Sequence, residues 1–271
     1  MGRGLRVTAL TRNEATAADL RRLGVEVVVA DLAASDWHGQ IEGNAEFVVD
    51  CVSSGGAGLE GYRRSYVEGL SSIIRWGRER GVADTLVYTG STSVYPQGEG
   101  QRVDETAPTW PASPRAGILL EAEAQVKAGA SVAYRRWFTL RLAGIYGPGR
   151  HGLLDQVRGG SIAGHGERLL NLAYRDDVCS AVWRALASES GIADEIFNVA
   201  DDAPAPKAEI GGWLAKRLGL PAPQFTGEPS VTGRPASPDR VISNQKIKKT
   251  LGWRPECASY REGYEKILSR S

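Results

Sequence analysis

The stretch Leu140-Arg141-Leu142-Ala143-Gly144-Ile145-Tyr146-Gly147-Pro148-Gly149 decides the fold, because an apolar strand pattern runs directly into a glycine-proline-glycine turn. The carboxyl end of such a strand is where an open α/β sheet forms a ligand crevice. Upstream, Tyr88-Thr89-Gly90-Ser91-Thr92-Ser93-Val94-Tyr95-Pro96 has the same character, a short β-rich run that stops at small hydroxyl residues. Further out, the runs at 5–10, 25–30, 47–52, 85–89 and 137–142 read as strands. They alternate with helical patterns at 15–23, 62–80 and 116–128. In the second of these Tyr66, Leu70, Ile73 and Ile74 share a face, and in the third Ile118, Ala122 and Val126 do. Such alternation predicts an α/β fold, a parallel sheet with helices on both faces.

Beyond Gly149 the pattern loosens. Asp176–Val182 reads as a helix start with an Asp capping its first turn, 196–199 as a short strand, and 207–218 as a helix ending at Gly219. The proline-rich 221–238 reads as a loop and 244–251 as a short helix. The expected organisation is a sheet domain over 1–148 to which 176–203 returns, with a smaller lobe from 149–175 and 204–271.

With 271 residues the chain can bury a substantial core, as one large domain or a domain plus a lobe. The 33 Lys and Arg nearly cancel the 32 Asp and Glu, so no broad basic surface points to a nucleic acid. Cys51, Cys179 and Cys257 are far apart and match no metal spacing. Cys51, inside the apolar run 47–52, reads as a buried inert thiol, and a cytoplasmic location follows. No apolar run reaches the length of a membrane span, and Met1-Gly2-Arg3-Gly4 does not lead into a signal-peptide core. The expected partner is a small molecule.

These stretches, in this order, resemble the extended short-chain dehydrogenase/reductase family, the nucleotide-sugar epimerases and dehydratases. The resemblance runs from Val7 to Tyr264. It implies a Rossmann-type sheet with a small C-terminal substrate lobe, and NADP or NAD as cofactor. It places Ser91 as the catalytic hydroxyl that polarises the reacting oxygen. Ser93, Tyr95, Gly144 and Tyr146 would lie on the substrate side. Leu142, Ala143 and Ile145 would line the nicotinamide, Ser53 and Ser54 the ribose, and Asp31 and Leu32 the adenine. Arg12 ends the resemblance's second strand, where an acidic residue would favour NAD and an arginine accommodates NADP. Plainer readings stand beside these. Ser91 and Ser93 could satisfy backbone groups in a turn, Asp31 could cap a helix, Arg12 could be solvated, and Tyr146 could be a core aromatic.

The segment Ser113-Pro114-Arg115-Ala116-Gly117-Ile118-Leu119-Leu120-Glu121-Ala122-Glu123 departs from the family. Setting Gly117 and Glu123 on the pattern Tyr-Gly-x-x-Lys-x-x-Glu puts Ala116 at the tyrosine and Leu120 at the lysine, and neither can move a proton. Lys127 lies seven residues past Leu120, about two helical turns on, so it cannot stand in. The subgroup resembled is the atypical extended branch, with Gly-x-Leu-Leu-Glu-Ala-Glu at this place. It implies an NAD(P)-binding protein of the nucleotide-sugar epimerase/dehydratase type, an oxidoreductase or epimerase with a degenerate Tyr-x-x-x-Lys site. The alternative is a non-catalytic dinucleotide-binding sensor or regulator. The helices at 62–80 and 116–128 resemble the pair through which family members form homodimers, with Trp76 and Leu119 at or near that surface.

Val7–Arg12 resembles the family's second strand and Val27–Leu32 its third. Its first strand, glycine-rich loop and first helix have no counterpart: Gly2-Arg3-Gly4 precedes a strand, and Gly55-Gly56-Ala57-Gly58 falls after the fourth strand. The first strand is central in the order 3-2-1-4, so its absence would open two edges. A truncated reading frame is the expectation. The alternative is direct pairing of the second and fourth strands, with a rebuilt pocket.

Overall fold

The computed structural model describes residues 4–54, 58–81, 83–129, 132–228 and 238–270; the glycines at 2, 55 and 56 lie outside them. In chain order the elements are β1 (Thr8–Thr11), α1 (Glu14–Arg22), β2 (Glu26–Val29), β3 (Phe47–Asp50), α2 (Gly58–Arg63), α3 (Gly69–Arg80), β4 (Ala83–Ser91) and β5 (Gln101–Val103). Next come α4 (Pro114–Gly129), β6 (Tyr134–Leu142), β7 (Gly144–Tyr146), α5 (Gly152–Arg158), β8 (Ser161–Ile162), β9 (Leu169–Leu170), β10 (Leu172–Tyr174) and α6 (Arg175–Leu186). Last are β11 (Glu195–Val199), β12 (Ala205–Pro206), α7 (Lys207–Leu218), β13 (Gln224–Phe225), β14 (Arg240–Ile242), α8 (Gln245–Leu251) and α9 (Tyr260–Leu268). The chain divides into two compact units. The first holds Met1–Thr89, Pro111–Thr139 and Ala193–Glu195, and the second holds Gly90–Trp110, Leu140–Ile192 and Ile196–Ser271.

In the first unit β1 pairs in parallel with β2, Leu10 opposite Val28. Separately, β3 pairs in parallel with β4, Asp50 opposite Tyr88. The two pairs belong to different sheets, a two-stranded one and a four-stranded one of order β11-β6-β4-β3. Direct pairing of the resemblance's second and fourth strands is therefore not formed. Among the described residues no strand lies on the outer edge of β3, where Val49 is 38 % exposed. Side-chain packing ties the two sheets instead. Trp37, Trp76 and Val28 form a buried cluster against which Leu10, Leu32, Ile41 and Val48 pack, with the two indoles 5.8 Å apart.

Local chemistry sets the helix ends. Asn13 caps α1 by accepting from the Thr16 N–H at 3.0 Å. Ser113 does the same for Ala116 at 3.1 Å, so α4 opens at Pro114, a residue suited to the first helical turn. The helix read at 62–80 is α2 and α3 joined by a π-helical turn, Arg64–Glu68. Trp76 and Leu119, expected at or near a dimer surface, are both buried within the chain, so neither side chain is exposed for such a contact. Cys51 is exposed, not buried, because β3 stops one residue before it; Cys257 is the buried thiol.

In the second unit β7 pairs with β10 and β5 with β14, both in parallel. The stretch read as a loop over 221–238 contains β13, which pairs with β8, while 229–237 lie outside the described residues. Tyr146, Tyr174, Tyr260 and Tyr264 pack with Leu154, Ile210 and Leu214 in the core. Asp177 does not cap its own helix. Its carboxylate instead accepts from the Glu256 and Cys257 N–H groups, at 2.7 and 3.0 Å, and so pins a distant segment. Among the described residues no helix is long and apolar enough to cross a membrane.

Candidate functional site

In the first unit the parallel pairing of β1 and β2 brings their carboxyl ends to one side, where Arg12 and Asp31 follow. Arg12 is exposed. Asp31 accepts from Arg64 Nε at 2.9 Å and from the Ala33 N–H at 3.0 Å. Partial burial opposes ionisation of Asp31, but the Ala33 N–H and the Arg64 guanidinium outweigh it and hold the carboxyl below its usual range. Leu32 faces the Trp37–Trp76 cluster, and its carbonyl accepts from Trp37 Nε1 at 3.1 Å. Ser53 is exposed and Ser54 partly so, just past the end of β3. On α4, Ala116 is 1 % exposed and Leu120 is partly buried.

A dinucleotide's pyrophosphate binds where free N–H groups and the positive dipole end of a helix meet it. After β1 the chain enters α1 without a glycine. The first turn of α1 is closed by the Asn13 side chain and carries the acidic Glu14. These residues do not fit a pyrophosphate.

In the second unit Ser91 accepts from the Ser93 N–H at 3.2 Å and opens a short 3₁₀ turn, Thr92–Val94. Thr92 Oγ1 donates to the Leu142 carbonyl at 3.3 Å, which brings this turn to the end of β6. Ser93 and Gly144 are exposed, Ser91 and Ile145 partly exposed, and Leu142 and Ala143 buried. Gly144 donates to the Asn171 carbonyl, and a Cβ there would sit 3.0 Å from that oxygen, a close approach that favours glycine.

The two tyrosines point inward. Tyr95 is fully buried; its hydroxyl donates to Asn198 Oδ1 and accepts from Arg141 Nη1, both at 2.8 Å. Burial pushes its pKa up, against the pull of Arg141. Tyr146 is 4 % exposed in the aromatic core, and burial raises it further. Neither phenol is placed to exchange a proton with a ligand.

Sequence reasoning missed Arg240. Its side chain is 2 % exposed, Nη2 donates to the Thr92 carbonyl at 2.7 Å, and Nε and Nη1 have no hydrogen-bond partner. Asn171 clamps its backbone, donating to the Arg240 carbonyl at 2.8 Å and accepting from the Ile242 N–H at 2.7 Å. No sequence signal marks this arginine, because the strand that buries it is three residues long.

Two other constellations are chemically suggestive. His38 lies 2.9 Å from Ser72 Oγ and 3.2 Å from Glu79, but Ser72 is 1 % exposed and donates to the Ala34 carbonyl, so its hydroxyl is no nucleophile. A cavity of about 290 Å³ in the second unit is lined by Arg102, Asp201, Asn244 and Lys248. Burial pushes the Asp201 carboxyl there up to about 7.

The model of the NAD dependent epimerase/dehydratase family matches residues 1–200. Protein YeeZ of Escherichia coli K12 is 31 % identical over 170 residues, 62 % of this chain and 57 % of that protein. The match thus spans little more than half of that relative's length. The Thermotoga maritima UDP-glucose 4-epimerase, solved with UDP-glucose, superposes with TM-score 0.85 at 17 % identity, over 99 % of this chain and 92 % of that one. The Bacillus cereus UDP-glucuronic acid 4-epimerase, solved with NAD, does so with TM-score 0.81 at 17 % identity and the same coverage. At these identities the likeness shows the fold, a Rossmann-type α/β architecture. Since the family model takes in both the Ser91 turn and the strand ending at Leu142, this chain belongs to the NAD dependent epimerase/dehydratase family.

Proposed function

We propose that this chain is a nucleotide-sugar-binding protein of the epimerase/dehydratase type whose hydride-transfer site is degenerate. One observation carries the reading. Ala116, at the place of the resemblance's tyrosine, is buried, and the candidate substitutes Tyr95 and Tyr146 are locked in the interior. A tyrosine acts as a general acid or base only when it reaches the ligand and a cation lowers its pKa. The ligand class is supported by the UDP-glucose and UDP-glucuronic acid of the structural neighbours. The family is NAD-dependent, and exposed Arg12 would suit the extra phosphate of NADP. The start of α1 does not fit the pyrophosphate, so no step is assigned to a nicotinamide. The free thiols of Cys179 and Cys257 support a cytoplasmic location. A homodimer through α2 to α4 would use their exposed polar positions, such as Arg63 and Glu121.

A second reading has its own observation. Ser91 is partly exposed, and since its oxygen only accepts from Ser93, its hydroxyl hydrogen stays free to polarise a carbonyl. Calorimetry with UDP-glucose, UDP-glucuronic acid, NADH and NADPH, followed by hydride exchange on the same panel, separates the two. The proposal expects sugar-nucleotide binding without turnover. Turnover that falls about 100-fold in Ser91→Ala would establish the second reading. No binding of any nucleotide sugar by the folded chain would sink both.

A further inference from the structure

Arg240 is a buried guanidinium without a counter-charge. Three of its five N–H hydrogens, one on Nε and two on Nη1, meet no acceptor. An unpaired buried charge is among the most costly groups a fold can hold. Neither Glu105, which accepts from the Asn198 N–H at 2.6 Å, nor Asp239, which accepts from the Leu169 N–H at 2.8 Å, accepts from Arg240. That second bond, with the Asn171 clamp, lays residues 168–171 alongside 239–242 and so brings a second guanidinium, Arg168, beside Arg240. Arg168 is partly exposed. The two cations repel; burial first, and then Arg168, press the Arg240 pKa down to about 10.

Two guanidiniums side by side, one buried and one partly exposed, can receive an oxyanion. Its location selects which oxyanion. Arg240 grips the carbonyl of Thr92, between Ser91 and Ser93, the turn that faces the reacting ring in the nucleotide-sugar reading on which this inference rests. We propose that Arg240, with the partly exposed Arg168 beside it, receives a carboxylate carried by that ring, so that the ligands of this chain are acidic sugars of the uronate type.

The test is calorimetry on the full chain with UDP-glucuronic acid, UDP-glucose, UDP, D-glucuronate and D-glucose, repeated in Arg240→Met and Arg168→Gln. Circular dichroism and thermal melting establish that each variant is folded, and Arg168→Gln, at a partly exposed position, covers the case in which Arg240→Met is not. The expected result is that UDP-glucuronic acid binds about 10- to 100-fold more tightly than UDP-glucose, with the advantage lost in Arg240→Met and reduced in Arg168→Gln. If both nucleotide sugars and UDP lose equally in these variants, the oxyanion is the diphosphate and the proposal is overturned. Equal binding of the two sugars, untouched by either variant, overturns it while leaving the nucleotide-sugar reading intact. Binding of free D-glucuronate but not D-glucose, lost in the variants, with no nucleotide sugar bound, sinks that reading and keeps this one. A folded chain that binds neither the acid nor its nucleotide overturns the proposal.

Discussion

Asp50 and Tyr88 stand opposite each other in register across β3 and β4, and each holds a buried oxygen that no protein group satisfies. Register partners on adjacent parallel strands share a face, with the strands about 4.8 Å apart. Burial pushes the Asp50 carboxyl up to about 7, against the single N–H it accepts from Val52. Burial, and then the charge of Asp50, drive the Tyr88 pKa well above its usual value. The pair stores an ionisation cost in the centre of the first unit.

That cost predicts a pH slope in stability. An unfolded Asp50 ionises near 3.8 and the folded one near 7. Between those values the folded chain keeps the proton that the unfolded chain has released. Raising the pH through this window therefore destabilises the protein, and the loss levels off above about 7. Urea denaturation at pH 5, 6, 7 and 8 measures it, with an expected loss on the order of 3 kcal/mol per such carboxyl. Asp201, also pushed up to about 7, adds a slope of the same sign. Asp50→Asn should flatten part of the curve and Asp50→Asn with Asp201→Asn most of it; an unchanged slope in the double variant would remove these carboxyls as its source.

Asp177 makes the opposite kind of prediction. Its two oxygens hold the Glu256 and Cys257 N–H groups, joining α6 to the turn before α9. Truncation leaves the buried Cys257 N–H and the partly buried Glu256 N–H unmet, so Asp177→Ala should cost about 2–3 kcal/mol, and Asp177→Asn, which keeps one acceptor, about half of that. Denaturation midpoints of the three proteins decide it; equal losses in both variants would argue against the hydrogen bonds.

What the sequence made legible follows from how local each signal is. The helix over 207–218 is read to the residue because Gly219 ends it in the left-handed region, φ 69°. The strand into Gly144 is legible because apolar residues run straight into glycines. By contrast, β5 and β14 are three residues each and exist only by pairing with one another. The helix α9 goes unread despite its capping box at Ser259 and Glu262. At the site, residue pattern placed Ser91, partly exposed, and Gly144, exposed, at strand ends, but it could not show that Tyr95 is sealed by Arg141 and Asn198. Nor could it show that Arg240 lacks a counter-charge, since both depend on which distant segments close over a side chain.

Restoring the residues that the resemblance lacks should fail. Ala116 is 1 % exposed, so a tyrosine there overpacks α4 before it meets any ligand. Ala116→Tyr with Leu120→Lys is expected to lower stability by about 2–3 kcal/mol and to bring no NADH-dependent turnover of UDP-glucose. Thermal melting and absorbance at the NADH band check both; a stable, active double variant would mean that position 116 opens to the ligand.

Tyr146 tests whether an aromatic at the end of the deciding stretch works on the substrate or on the core. Its hydroxyl reaches the Ser259 carbonyl only at 3.4 Å, a long bond of little energy, while its ring packs 5.0 Å from Tyr264 and 5.5 Å from Tyr174. Tyr146→Phe should therefore cost under about 1 kcal/mol and leave ligand affinity unchanged. Gly263 sits under the same ring, and a Cβ there would fall 2.5 Å from Cζ and 2.7 Å from Cε2 of Tyr146. Gly263→Ala should cost about 3 kcal/mol or more. The nearest clashing atom is the Tyr146 hydroxyl oxygen, with ring carbons behind it, so Tyr146→Phe should relieve a small part of the clash and Tyr146→Leu a larger part. A double-mutant cycle read by urea denaturation gives the coupling. Strong coupling to Gly263 with unchanged affinity assigns Tyr146 to the core, and a loss of affinity in Tyr146→Phe at unchanged stability assigns it to the ligand.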